Sequence, residues 1–113
     1  MIVLPWPPTV NHYYTLARGR KILSDRGRKY KKDCYWIMTG QKVPRFESGR
    51  FSVTIRAFPP DRRRRDLDNL LKPVLDTLTE YSAITDDSDV DEIHILRMGQ
   101  LKGGNLEIEI ERR

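Results

Sequence analysis

Apolar Phe51, Val53, Ile55 and Ala57 alternate with Ser52, Thr54 and Arg56, a period of two that predicts a half-buried strand over residues 50–58. The period then changes. Leu67, Leu70, Leu71, Val74, Leu75 and Leu78 recur at i, i+3, i+4, i+7, i+8 and i+11, which predicts an amphipathic helix. Pro73 limits where that helix begins, because a proline at the fourth helical position or later removes a backbone hydrogen bond. Regular helix is therefore expected from Asn69 or Leu70, with Asp66 and Asp68 in the turn before it.

Upstream, Ser24 or Asp25 caps a helix expected to reach about Thr39 and stop at Gly40, with Tyr30, Cys34, Ile37 and Met38 on one face. Met1 to Leu4 reads as a short strand leaving the sheet through the stiff segment Pro5-Trp6-Pro7-Pro8, and residues 11–23 as a hairpin or long loop turning at Gly19. Residues 90–98 and 106–111 read as two strands joined through Gly103-Gly104, expected to pair as an antiparallel hairpin. In the second of these Leu106, Ile108 and Ile110 face inward, leaving Glu107, Glu109 and Glu111 as a solvated face. The order β-α-β-α-β-β belongs to the α+β class: a mixed four-stranded sheet packed by two helices, with a basic N-terminal loop or hairpin. At 113 residues the chain is one domain, 1–113, long enough to bury its own core.

Composition narrows the setting. With 38% apolar and 33% charged residues the chain is too apolar for disorder and too charged for a membrane protein. The apolar opening ends at Pro5, too early for a signal peptide or a membrane span, so a soluble cytoplasmic protein is expected. Cys34, the single cysteine, suits a reducing compartment and a place in the core. Net charge is +5, and its distribution says more than its total. Eight bases and one acid lie between Arg18 and Lys32, whereas seven acids and no base lie between Asp76 and Glu92. A basic surface beside an acidic site suits a nucleic-acid partner.

The chemistry concentrates in Asp61-Arg62-Arg63-Arg64-Arg65-Asp66-Leu67-Asp68-Asn69-Leu70-Leu71-Lys72. A patch that only held polyanions would exclude acids from its centre. A site that cuts a phosphodiester needs cations for the backbone and carboxylates for a metal ion, so these residues point to a metal-dependent nuclease. Asp66 and Asp68 are candidate ligands for Mg²⁺, for which Mn²⁺ can substitute. The blander alternative makes Asp68 a helix N-terminal acid and Asp66 an arginine partner. A third acid can return from the far end of the helix: twelve residues of helix cover about 17 Å, and the six residues after Tyr81 span about 20 Å when extended. Either Asp86 or Asp87 meets that requirement. An EF-hand beginning at Asp87 fails, with Glu92 in place of the glycine and Met98 in place of the last glutamate. Lys72, one turn beyond Asp68, can hold the scissile phosphate or form an ion pair with Asp68 or Asp76. Tyr13, Tyr14, Arg18, Arg20 and Lys21 interleave aromatic with basic groups, as surfaces that stack on bases do, or else form a packed loop with a solvated tip. His12 and His94 lack partnered spacing, and no Ser-His-Asp set, phosphate loop or Cys/His zinc pattern is present.

Leu4-Pro5-Trp6-Pro7-Pro8, Asn11 with Tyr13-Tyr14, the charged run through Asn69-Leu70 with Lys72, Asp86-Asp87, and Lys102-Gly103-Gly104 together resemble the RusA family of Holliday-junction resolvases over nearly the whole chain. The resemblance implies a homodimeric, magnesium-dependent endodeoxyribonuclease of recombination and repair, without an organic cofactor or membrane partner. Such an enzyme binds four-way DNA junctions and nicks two opposed strands. It also implies an active site of Asp66, Asp68, Asp87 and Lys72, with Arg65 on the DNA backbone. Arg62, Arg63, Arg64 and Asn69 complete the candidate DNA contacts of the central run. The rival reading is a non-catalytic protein that binds branched DNA and whose carboxylates are structural.

Overall fold

The computed structural model describes Met1–Arg113. Strand β1 (Ile2–Leu4) leads through the proline segment into a single helical turn, α1 (Val10–Tyr13), closed by the Tyr13 amide on the Thr9 carbonyl at 2.7 Å. Strands β2 (Tyr14–Ala17) and β3 (Arg20–Leu23) form a separate hairpin. Its two-residue turn puts both Arg18 (φ 52°) and Gly19 (φ 74°) in the left-handed region, the geometry whose twist matches an antiparallel pair. Ser24 then caps α2 (Asp25–Gly40), its hydroxyl accepting the Gly27 N–H at 3.0 Å. Tyr30, Cys34 and Met38 lie buried along one face of α2. Burial pushes the Cys34 thiol up to about 12, so it stays protonated and serves as packing.

Strand β4 (Phe51–Phe58) is the centre of a four-stranded mixed sheet, ordered β1-β6-β4-β5, with β5 (Val90–Arg97) parallel to β4 and β6 (Asn105–Arg112) antiparallel to it. The hairpin expected between the last two strands does not form, because β4 lies between them. The reason is burial. Phe51, Val53, Ile55 and Ala57 are fully buried on one face of β4, whereas most of β5 is exposed, so the central position goes to the strand with most to hide. On the opposite face Arg56 pairs with Glu107 at 3.3 Å and Glu109 at 3.1 Å, and Ser52 donates to Glu92 at 3.2 Å. Those two glutamates of β6 are thus cross-strand partners of β4 and not only a solvated face. Residues 98–104 bridge the end of β4, with the Met98 amide on the Ala57 carbonyl and the Leu101 amide on that of Pro59.

After β4 the chain reaches a 3-10 turn (Leu67–Leu70) that runs directly into α3 (Leu71–Tyr81). Regular helix begins one residue beyond the expected start, and Pro73 becomes its third residue, where the missing N–H has no intrahelical acceptor to lose. Val74, Leu75, Leu78 and Tyr81 pack against α2 and the sheet, and Ser82 (φ 76°) ends the helix in the left-handed conformation. A second 3-10 turn (Asp87–Asp89) returns the chain to β5. No helix is long and apolar enough to cross a membrane.

Candidate active site

The arginine run leaves β4 through Pro59-Pro60 and is fastened by one carboxylate. Asp61 accepts the Arg63 amide at 2.8 Å and the Arg65 Nη1 at 2.7 Å, and lies 3.3 Å from the Arg63 Nε. The Arg65 hydrogen bond, followed by the Arg63 amide, holds the Asp61 carboxyl well below the usual carboxylate range and pushes Arg65 up. Arg97 fixes the same loop from β5, donating to the Arg65 carbonyl at 2.7 Å. Expected as a backbone contact, Arg65 is largely covered and serves as a strut of the loop, while Arg62, Arg63 and Arg64 are exposed.

Asp66 and Asp68 are exposed on the 3-10 turn. Asp66 occupies its N-cap position but makes no side-chain cap hydrogen bond. Asp68, Asn69 and Lys72 line a groove with Tyr14 and Lys21, so the β2-β3 hairpin stands over the start of α3. Lys21 Nζ lies 5.4 Å from the Tyr14 ring centre, a cation beside an aromatic face. Arg18 and Arg20 are exposed at the hairpin tip.

The expected role of Tyr13 as a DNA contact is corrected by its burial. Tyr13 is fully buried, edge-on to Tyr14 at 4.9 Å, with its hydroxyl toward Asp76. It ends α1 facing the core, and the change from helix to strand turns the next side chain outward, so Tyr14 alone reaches the groove.

Lys72 Nζ is 3.0 Å from Asp76 and 3.8 Å from Asp87. The hydrogen bond to Asp76, then the charges of Asp76 and Asp87, push the lysine up. Burial and the Asp76 charge push the Tyr14 hydroxyl up as well, with Lys72 opposing them. Asp87 also accepts the Thr79 hydroxyl at 3.1 Å. Asp86 is engaged elsewhere, its Oδ2 accepting both the amide and the hydroxyl of Ser88, at 3.0 and 2.5 Å, which lowers its carboxyl. Of the two adjacent acids, Asp87 is thus the one that faces Lys72.

Asp66, Asp68 and Asp87 offer the hard carboxylate oxygens that Mg²⁺ takes, so the donor chemistry fits. These side chains do not form a closed ligand set: nowhere do three acidic, histidine or cysteine side chains gather closely enough to hold a metal ion. Lys72 stands beside both halves, sharing the groove with Asp68 and facing Asp87. The sequence reasoning missed Thr79. Its signal is the polar stripe Lys72, Asp76, Thr79 at i, i+4 and i+7 along one side of the helix.

The family profile described as Endodeoxyribonuclease RusA matches residues 5–111. The chain is 40% identical over 108 residues to the crossover junction endodeoxyribonuclease rusA of Enterobacteria phage HK97, covering 96% of this chain and 90% of that one. It is 39% identical over 109 residues to the enzyme of the same name from Enterobacteria phage 82, and 38% identical over 109 residues to that of Escherichia coli strain K12; both alignments cover 96% of this chain and 91% of the relative. The chain belongs to the RusA endodeoxyribonuclease family.

Proposed function

We propose that this protein is a structure-specific endodeoxyribonuclease that resolves four-way DNA junctions by Mg²⁺-dependent nicks in opposed strands, serving recombination and repair. The relatives named as crossover junction endodeoxyribonucleases support the reading at the level of the family. The observation that carries it on this chain is the corner between β4 and α3. There, exposed arginines, two carboxylates and a lysine share one short stretch beneath a hairpin bearing an aromatic and a basic side chain.

Asp66, Asp68 and Asp87 are the residues that would hold the ion, and the chemistry it supplies when bound is activation of water and stabilisation of the leaving oxygen. The chain's own groups do the rest. Arg62, Arg63 and Arg64 engage phosphates flanking the cut, with a salt dependence that grows with each phosphate neutralised. Lys72 is the cation for a non-bridging oxygen of the scissile phosphate, and Asp76 keeps its ammonium at the groove. Thr79 holds the Asp87 carboxylate toward the same place. Paired nicks in opposed strands need two such sites, and the chain carries one, so the working unit is a homodimer.

The Lys72–Asp76 pair is also what a branched-DNA-binding protein with structural carboxylates would have, and one assay separates the two readings. A labelled mobile four-way junction and a matching linear duplex are incubated with the protein, each with Mg²⁺ and with EDTA. Paired nicks in the junction alone, only with Mg²⁺, are expected. A salt-sensitive gel shift with no cleavage across several junction sequences would overturn the enzyme reading in favour of the binding protein.

A further inference from the structure

A second cleft adjoins the first, and its Trp6 wall has no part in the chemistry above. It has a volume of about 470 Å³, with Trp6, Pro7 and Pro8 on one side and Arg65, Asp66 and Asn69 on the other. Both sides are held in place. The Pro5 carbonyl accepts the hydroxyl of buried Tyr30 at 2.6 Å, anchoring the proline segment to α2. Behind Trp6 the backbone of Gly104 comes so close that an added Cβ would lie 3.0 Å from both the Trp6 Cβ and the Pro60 ring. On the other side Arg65 is tied by its side chain to Asp61 and by its carbonyl to Arg97, with its guanidinium 5.7 Å from the Trp6 ring.

A phosphate group has no use for an indole and two proline rings, and an aliphatic ligand has none for an amide, a guanidinium and a carboxylate. A nucleobase needs both, since its face is aromatic and its edge carries donors and acceptors. Asn69 offers one donor group and one acceptor, the pair that reads such an edge. The cleft shares Asp66 with the candidate ligand set and Asn69 with the neighbouring groove, so the base it can reach is the one beside the scissile phosphate. Withdrawing a paired base costs its stacking and pairing, which the indole face and the Asn69 amide replace in part.

We propose that this cleft receives one unstacked base from a nucleotide flanking the scissile phosphate, laid on Trp6 and read on its edge by Asn69. The cleft therefore selects which phosphate of a mobile junction is cut. The inference rests on the endonuclease reading for its consequence, but not for its binding test.

Junctions carrying each of the four bases, or an abasic residue, at each position flanking the cut are assayed with the wild type, Trp6→Phe, Trp6→Leu and Asn69→Ala. At one flanking position the abasic residue is expected to slow wild-type cutting by about tenfold or more, the scale of one lost base-stacking contact. The ratio between the best and worst base should collapse in Asn69→Ala and Trp6→Leu and persist in Trp6→Phe, each variant serving as its own reference. Equal cutting of normal and abasic junctions at both positions, or an unchanged base ratio in Asn69→Ala and Trp6→Leu, would overturn the proposal. If the wild type cuts no junction, the endonuclease reading fails by itself, and affinity in EDTA decides the cleft. An abasic residue at the branch point that weakens wild-type binding but not Trp6→Leu binding upholds it, and equal affinities reject it.

Discussion

Lys72 and Asp76 stand one turn apart on α3 with the ammonium 3.0 Å from the carboxylate, and Asp87 lies 3.8 Å from the same ammonium. An i, i+4 pair whose lysine is mostly exposed adds only about 0.3–0.5 kcal/mol to stability. Its consequence is orientation: the lysine is held over the groove that Asp68 lines. Asp76→Asn should therefore slow junction cleavage by about tenfold, a loss of about 1.4 kcal/mol of transition-state stabilisation, with its melting temperature nearly unchanged. In a Lys72→Ala background the same substitution should cost nothing further. Single-turnover rates of the four proteins test this, and additive losses would show that Asp76 acts apart from the lysine.

Asp68→Asn keeps the size and shape of an exposed side chain while removing the charge. Cleavage should fall by at least about 100-fold, since outer-shell changes alone cost 10–100-fold. Junction binding in EDTA should survive or tighten, because a carboxylate that repels phosphate has gone. Retained cutting by Asp68→Asn would remove the residue from the metal site.

Thr79 donates its hydroxyl to Asp87 at 3.1 Å. Thr79→Val keeps the branched shape and loses the donor, so cleavage should fall by about 10–100-fold, and Thr79→Ser should recover most of it. Titration of Mg²⁺ in the same assay separates weakened metal binding, which excess metal overcomes, from a misplaced carboxylate, which it does not.

The fold was legible where its causes are local. The alternation through β4, the Ser24 cap and the apolar stripe of α3 each come from neighbours in sequence, and Pro73 already confined regular helix to the residues after Asp68. The β5-β6 hairpin was misread because strand order is a competition: β4 outbids β5 for the centre by burying Phe51, Val53, Ile55 and Ala57, which no short window reveals. The candidate site divides the same way. Its charged residues announce themselves in the arginine run. Which of two adjacent tyrosines reaches the groove depends on where α1 ends, and which of two adjacent aspartates faces Lys72 depends on Ser88 engaging Asp86. Trp6 is the wall of a cleft through Gly104, far along the chain, whose backbone packs behind it.

Asp61 supplies a pH test of the arginine loop. Its carboxyl is held below the usual range by Arg65 and the Arg63 amide, so the stabilisation it gives is complete above the unfolded value of about 4 and is lost as pH falls below it. Melting temperatures of the wild type and Asp61→Asn should differ at pH 7 and converge on acidification below about pH 4. A gap that stays constant down to pH 2.5 would mean that the charge of Asp61 does not hold the loop.

Gly27 couples the basic hairpin to α2. An added Cβ would lie 2.4 Å from the Tyr13 carbonyl oxygen and 2.9 Å from the Leu23 side chain, and the first of these is backbone that cannot swing aside. That carbonyl already accepts both the amide and the hydroxyl of Ser24 at 2.9 Å, the contacts that set α1 and β2 against the start of α2. Gly27→Ala gains helix propensity of about 1 kcal/mol but must push α1 outward, which costs about 1–3 kcal/mol or more for an overpacked contact. The net effect expected is a lower melting temperature, together with weaker junction binding as Tyr14 and Lys21 leave the groove. A melting temperature at or above the wild-type value with unchanged affinity would show that the hairpin moves freely on α2 and that its present position is not what places those two side chains.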